Sequence, residues 1–342
     1  MKLTKDLENI ILDHGTGGLL SQDLISSIIT AKLEGVHLGK MEDSAILEVS
    51  SRRLAMTTDS FVIDPIFFGE GNIGKVAVCG TVNDLAVSGA KPLYLSLALV
   101  LEEGFPIKDL EEILDSIRET AKEAGVYIVA GDTKVVKKGE VDKIFINTTG
   151  IGVFEGDVSP FSVNSIQEGD DIIITGQLGN HSIHILSIRE GLGFEQRINS
   201  DCAPLNHMIT ELKNHFGDSI HCMRDITRGG LGTVLNEVSE TINTGIKIQE
   251  KDIPMLAETI MAADMLGVNP MYLANEGNVC MFVSPEVSEE VVRVLKNTKY
   301  GKEAAVIGKV TQTKERQVLM EAKSGELKLI ELLYGAELPR LC

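Results

Sequence analysis

One stretch restricts the choice of fold more than any other. From Ile73 the chain reads Val76-Ala77-Val78-Cys79-Gly80, then Val82-Asn83-Asp84-Leu85-Ala86, and stops at Gly89-Ala90-Lys91-Pro92. The spacing predicts one helix, apolar around most of its circumference and therefore buried. Asn83 and Asp84 are the anomaly inside it. A buried aspartate must be paired, hydrogen-bonded or metal-bound, or it costs several kcal/mol. Cys79 reads as a small core residue.

Enclosing such a helix takes a sizeable chain. At 342 residues this one is long enough for two domains or one large one. The net charge of −18 argues against nucleic acid or an anionic membrane as partner. Five cysteines, at 79, 202, 222, 280 and 342, form no C-x-x-C pair and predict no disulfide framework. The start carries no apolar signal core, and the longest apolar-rich run, Leu93–Leu101, is nine residues. A cytoplasmic protein is expected.

Before the buried helix, residues 10–18 lead an apolar run into His14-Gly15-Thr16-Gly17-Gly18, with Ser21 expected to cap a following helix. Glycines there let backbone N–H groups converge on an anion, and His14 adds a donor. Asp43 and Asp59 each stand at the edge of a short apolar strand. Two nucleotide motifs are imitated and rejected. Gly69-x-Gly71-x-x-Gly74 follows the strand-breaking Asp64-Pro65, and Gly69-x4-Gly74-Lys75 ends in Val76 where a hydroxyl should bind magnesium.

After it come a strand at 93–101, a helix at 107–124 and a strand at 126–130 that ends in Gly131-Asp132-Thr133-Lys134. A strand at 143–154 closes the first unit. Asp43, Asp59, Asp84 and Asp132 thus lie at or near element ends among glycines, a set suited to magnesium with a nucleotide phosphate. The expected units are residues 1–155, 156–320, and a hairpin with a mobile tail over 321–342. In the second unit, Arg228-Gly229-Gly230 opens a helix and offers another phosphate contact. His181 and His184 are expected on a helix surface. The histidines and cysteines between 202 and 222 fit no zinc spacing.

The chain ends in Pro339-Arg340-Leu341-Cys342. Proline makes an extended arm, and a terminal thiol on a mobile end suits a carrier.

These motifs together resemble the aminoimidazole ribonucleotide synthetase-like superfamily. The resemblance is carried by Asp43, Thr58-Asp59, Val82-Asn83-Asp84-Leu85-Ala86, Gly131-Asp132-Thr133, Arg224-Asp225-Ile226-Thr227-Arg228-Gly229-Gly230 and Asn275-Glu276-Gly277. The tail and His14-Gly15-Thr16-Gly17-Gly18 are similar to its hydrogenase maturation branch, the carbamoyl dehydratases. Glu42, where a second Asp is common, and Leu341, where Ile or Val is common, depart from the pattern without removing a reacting group.

The resemblance implies a two-domain α/β (α+β) fold that binds ATP and Mg²⁺ and forms a homodimer. A carbamoyltransferase, HypF, would load Cys342. ATP-dependent dehydration would turn the S-carbamoyl group into a thiocyanate, and the cyanide would pass to iron on a HypC–HypD complex. Cys342, Lys134 and Glu276 are the implied catalytic residues. His14, Gly15, Gly17, Gly18, Asp43, Asp59, Asn83, Asp84, Asp132 and Arg228 would bind the nucleotide, with Asp43, Asp59, Asp84 and Asp132 on the metal. Another kinase or synthetase of the superfamily is the rival enzyme, and a non-catalytic carrier the rival class.

Overall fold

The computed structural model describes residues 4, 7–15, 19–36, 49, 53–155, 160–313, 315–332 and 340–342. Helix α1 (Leu19–Leu24) runs through a π-helical turn, Ile25–Ile29, into α2 (Thr30–Lys32). Ser21 does not cap this helix. It lies inside it, and its hydroxyl donates to the Asp13 carbonyl. Then follow β1 (Leu54–Phe61), the ribbon β2 (Phe67–Phe68) and β3 (Gly71–Asn72), α3 (Ile73–Val87), β4 (Lys91–Glu102), α4 (Ile107–Ala124), β5 (Tyr127–Val136) and β6 (Ile144–Val153). Four of these strands form a sheet in the order β1-β6-β4-β5, in which only β4 and β5 run parallel.

The second half continues with β7 (Asp171–Ile174), α5 (Asn180–Glu190), α6 (Asn206–Phe216), β8 (Ile220–Asp225), α7 (Gly230–Ile242), β9 (Ile246–Gln249), α8 (Ala257–Leu266), β10 (Val279–Val283), α9 (Ser288–Lys296), β11 (Ala305–Val310) and the hairpin β12 (Val318–Glu321) and β13 (Leu327–Ile330). Its strands make a seven-stranded sheet in the order β13-β12-β9-β11-β7-β10-β8. Between β7 and edge strand β8, all five residues of β10 are buried, as a strand covered on both faces requires.

Helix α3 joins the halves. It packs on β1, β4 and β6 of the first sheet, on α4 beside it, and on α6 and β8 of the second half. A helix with neighbours on three sides has no solvent face, so its residues are apolar almost all round. Asn72 caps its start by accepting the N–H groups of Gly74, at 2.9 Å, and Lys75, at 3.3 Å. A Cβ at Gly74 would come within 2.6 Å of the Ile113 carbonyl. The glycine that imitated a nucleotide motif is there for close packing of α3 on α4.

Strand β5 does not stop before Gly131 but runs on to Val136, so Asp132 and Lys134 sit within a strand. A Cβ at Gly131 would lie 2.8 Å from the Leu97 carbonyl. Glycine lets the parallel neighbour approach there, and the ladder continues past it. Two further expectations change. His181 and His184 on α5 are buried: polar groups meet both ring nitrogens of His181 and the Nδ1 of His184, whose Nε2 has no hydrogen-bond partner among the described residues. The last three residues are not a free arm: Leu341 is 7% exposed and packs within the core cluster that contains α3 and α5.

Candidate active site

Strand β1 alternates, with Leu54, Met56, Thr58 and Ser60 outward and Thr57 and Asp59 turned in towards α3. Asp84 on α3 meets them: Thr57 Oγ1 donates to Asp84 Oδ2 at 2.7 Å, and Thr81 Oγ1 to Asp59 Oδ2 at 3.4 Å. Strand β8 brings Asp225 to the same place. Burial and the charge of Asp84 push both Asp59 and Asp225 up to about 6. Asp225 lies within a motif singled out from the sequence, but only the fold brings it to the other carboxylates.

Glu276 adds a fourth acid. It is 3% exposed, and burial first, then the charges of Cys202, Asp201, Asp225 and Asp59, raises its pKa well above the usual range. Its Oε1 has no hydrogen-bond partner among the described residues. The surrounding loop is locked. Asn275 accepts the Gly179 N–H at 2.9 Å and donates to the Ile226 and Leu273 carbonyls. Asp201 Oδ1 accepts the Glu276 N–H at 2.9 Å. A Cβ at Gly277 would stand 1.8 Å from the Asp201 carbonyl, so only glycine fits behind Glu276.

Cys342 faces this group. Burial pushes its thiol up to about 12, the charges of Glu276, Asp59 and Asp225 add to that, and Arg228 opposes it. A docked Cys342 is therefore a protonated, unreactive thiol, suited to carrying a group rather than attacking one. The tail is gripped through its backbone. Val62 N–H donates to the Cys342 oxygen at 3.2 Å, and Asp64 N–H to the Arg340 carbonyl at 3.3 Å. His181 Nε2 lies 2.7 Å from the Leu341 carbonyl, and its Nδ1 2.8 Å from Ser200 Oγ. A carbonyl only accepts, so Nε2 carries the proton and Ser200 donates to Nδ1. Burial lowers the His181 pKa to about 4, which keeps the ring neutral. Burying a leucine contributes about 1.5–3 kcal/mol. Arg340 sits in the left-handed region at φ 59°, which costs about 1–2 kcal/mol for a residue with a Cβ.

The other expected site residues divide. Arg228 is beside the cluster, its charge acting on Asp59 and Cys342. Of the glycines after it, Gly230 is packed against chain, a Cβ there lying 2.6 Å from the Met271 carbonyl, and its N–H donates to the Thr227 carbonyl at 2.9 Å. Asn83 is buried. Its amide is used within the fold, donating to the Ala203 carbonyl at 3.0 Å and the Glu276 carbonyl at 3.4 Å and accepting the Leu205 N–H at 2.8 Å. His14 is 1% exposed and meets polar groups on both nitrogens, Ile11 N–H at 3.1 Å and Thr4 Oγ1 at 3.3 Å. Gly15 is pressed against β5, where a Cβ would come within 2.8 Å of the Val135 nitrogen.

Asp132 and Lys134 do not join the cluster within one chain. They pair with each other at 2.7 Å, 58% and 62% exposed, and Lys134 holds the Asp132 carboxyl below its ordinary pKa. Gly17, Gly18 and Asp43 lie outside the described residues. Cys202 has partners that its spacing concealed: its thiol hydrogen-bonds to that of Cys79, which with burial raises its pKa well above the ordinary value.

Comparison with known proteins gives this arrangement a family. The signature of "AIR synthase related protein, N-terminal domain" matches residues 41–154, and that of the C-terminal domain residues 167–321. The carbamoyl dehydratase HypE of Azotobacter vinelandii is 40% identical, covering 98% of this chain and 99% of its own. A crystal structure of the hydrogenase maturation protein HypE in complex with ATP superposes with a TM-score of 0.92 at 41% identity, covering 97% of this chain and 99% of that one. A crystal structure of a HypE–HypF complex matches with a TM-score of 0.78 at 45% identity, over 82% of this chain and 90% of that one. The chain belongs to the AIR synthase related family, in its branch of HypE hydrogenase maturation proteins.

Proposed function

We propose that this chain dehydrates a carbamoyl group carried on its own Cys342 to a thiocyanate, using ATP, and so makes the cyanide ligand of the [NiFe]-hydrogenase iron. The observation that carries the reading is the C-terminal cysteine held against Glu276, Asp59, Asp225 and Arg228. A HypF-type carbamoyltransferase loads the thiol, and a HypC–HypD complex takes the product.

The amide oxygen is a poor leaving group. ATP supplies the γ-phosphoryl that makes it a good one. One N–H proton leaves as the C=N bond forms, and loss of the second proton with the C–O bond completes the nitrile and releases phosphate. Glu276 is the assigned base. Burial makes its carboxylate strongly basic, and its unpartnered oxygen is available for the amide. Asp59, Asp84 and Asp225 present hard oxygen donors, and their mutual repulsion is what a cation relieves. Magnesium keeps waters and takes one or two carboxylates together with phosphate oxygens.

The homodimer belongs to the same proposal. The outer face of the four-stranded sheet exposes Leu54 at 51%, Met56 at 72% and Tyr127 at 42%. A second copy covering it would bring edge strand β5, with Asp132 and Lys134, to the substrate of the other chain.

Mass measurement of the C-terminal peptide after incubation with the carbamoyl donor system and ATP tests the reaction. A carbamoyl adduct on Cys342 that then loses water is expected, and Cys342→Ala should yield neither. Water loss from an adduct on another cysteine would refute it.

A further inference from the structure

The contacts that hold the tail are unevenly distributed. His181 and Arg189 stand two turns apart on α5, and both act on tail main chain. His181 meets the Leu341 carbonyl at 2.7 Å, and the Arg189 guanidinium bridges the Arg340 carbonyl, at 2.8 Å, to the Asp64 carbonyl. Such contacts ignore side-chain identity. Besides the packed Leu341, the Arg340 side chain is gripped by polar groups: it donates to Asp142 Oδ2 at 2.7 Å and to the Val62 carbonyl at 2.9 Å. Val62, Asp64 and Asp142 belong to the first half of the chain and α5 to the second, so the last three residues are held from both sides. Beyond Leu341 the hold is on the Cys342 main-chain oxygen, which leaves the sulfur for a carried group.

We infer that Asp142, Arg189 and His181 form a receptor for the last three residues, with Asp142 and Arg189 as positioning residues that set the balance between a docked tail, competent for dehydration, and a released tail, competent for loading. The inference rests on the function proposed above. It predicts opposite signs for the two halves of the cycle: weakening the receptor slows dehydration and exposes the thiol. The Asp142–Arg340 pair is partly exposed, 45% and 35%, so salt also weakens it.

The probe is iodoacetamide on the full-length chain, read as the mass of the C-terminal peptide. The other four cysteines are buried and slow to react. Asp142→Ala should raise Cys342 alkylation about two- to fivefold, as expected for a partly exposed ion pair. Arg189→Lys, which keeps the charge but loses the fork, should raise it on the order of tenfold. Asp142→Glu should restore slow alkylation, and high salt should accelerate the unmutated chain but not Asp142→Ala. Dehydration of pre-carbamoylated protein should fall by matching factors. Wild-type alkylation in both weakened variants overturns the receptor. Faster alkylation with undiminished dehydration overturns its positioning role. Alkylation needs neither ATP nor carbamoyl donor, so it can fail while the proposed reaction stands.

Discussion

Asp59 and Asp84 near Cys342 and Asp132 on β5 are grouped by the sequence as one set of candidate metal ligands. They end in opposite electrostatic states. In the cluster, burial and like charge push Asp59 and Asp225 up to about 6. On β5, Lys134 pulls Asp132 down in the open. Neighbours in the fold, not the local motif, decide whether an aspartate is a candidate for catalysis or an ordinary surface acid.

The sharpest way to break this contrast is to remove the acid at its buried end. Glu276→Gln keeps the shape and should still accept a carbamoyl group on Cys342, since the partner performs that step. Conversion to thiocyanate should slow on the order of 10²–10⁴-fold from loss of the base. Product at the wild-type rate would end Glu276's assignment.

A smaller effect tests the cluster's self-repulsion. Asp225 has its proton in the folded chain up to about pH 6, against 3.8 ordinarily. Folding therefore gains from it below its ordinary pKa, and the gain is lost as pH rises through about 6. Asp225→Asn should remove that slope from the thermal midpoint between about pH 4 and 7, on the order of 1 kcal/mol after solvent screening. Magnesium with ATP should stabilise the unmutated chain more above pH 6 than below, because a cation needs the carboxylates ionised. Parallel pH profiles for both proteins would sink the account.

The smallest effect belongs to β5. Lys134→Ala breaks a pair that is more than half exposed and should shift stability by no more than about 1 kcal/mol. Its catalytic effect sharpens the comparison. Mixed dimers of Lys134→Ala and Cys342→Ala chains should recover activity, because the intact lysine of one chain serves the intact cysteine of the other. If mixing recovers nothing, Lys134 has no such role across the dimer.

Much of the architecture was legible in residue order. The buried helix at 73–87, the amphipathic helix at 107–124 and the first sheet's strands near 93–101 and 143–154 follow from periodicity, which is a local property of the chain. The terminal thiol and the inward carboxylates Asp59 and Asp84 were also readable, because a cysteine at a chain end and acids in apolar settings are anomalies in their own right. Asp142, Arg189 and His181 had no such mark, and His181 looked like a surface residue.

Their roles depend on contacts spanning 198, 151 and 160 positions. Asn83 was visible as a buried polar residue, yet its partners at 203, 205 and 276 are set only when α3 is clamped between the halves. Local sequence determines which elements form and which groups are costly to bury. Which of those groups meet, and so which become base, ligand, latch or brace, is decided by long-range packing, because desolvation and charge interaction act across space rather than along the chain.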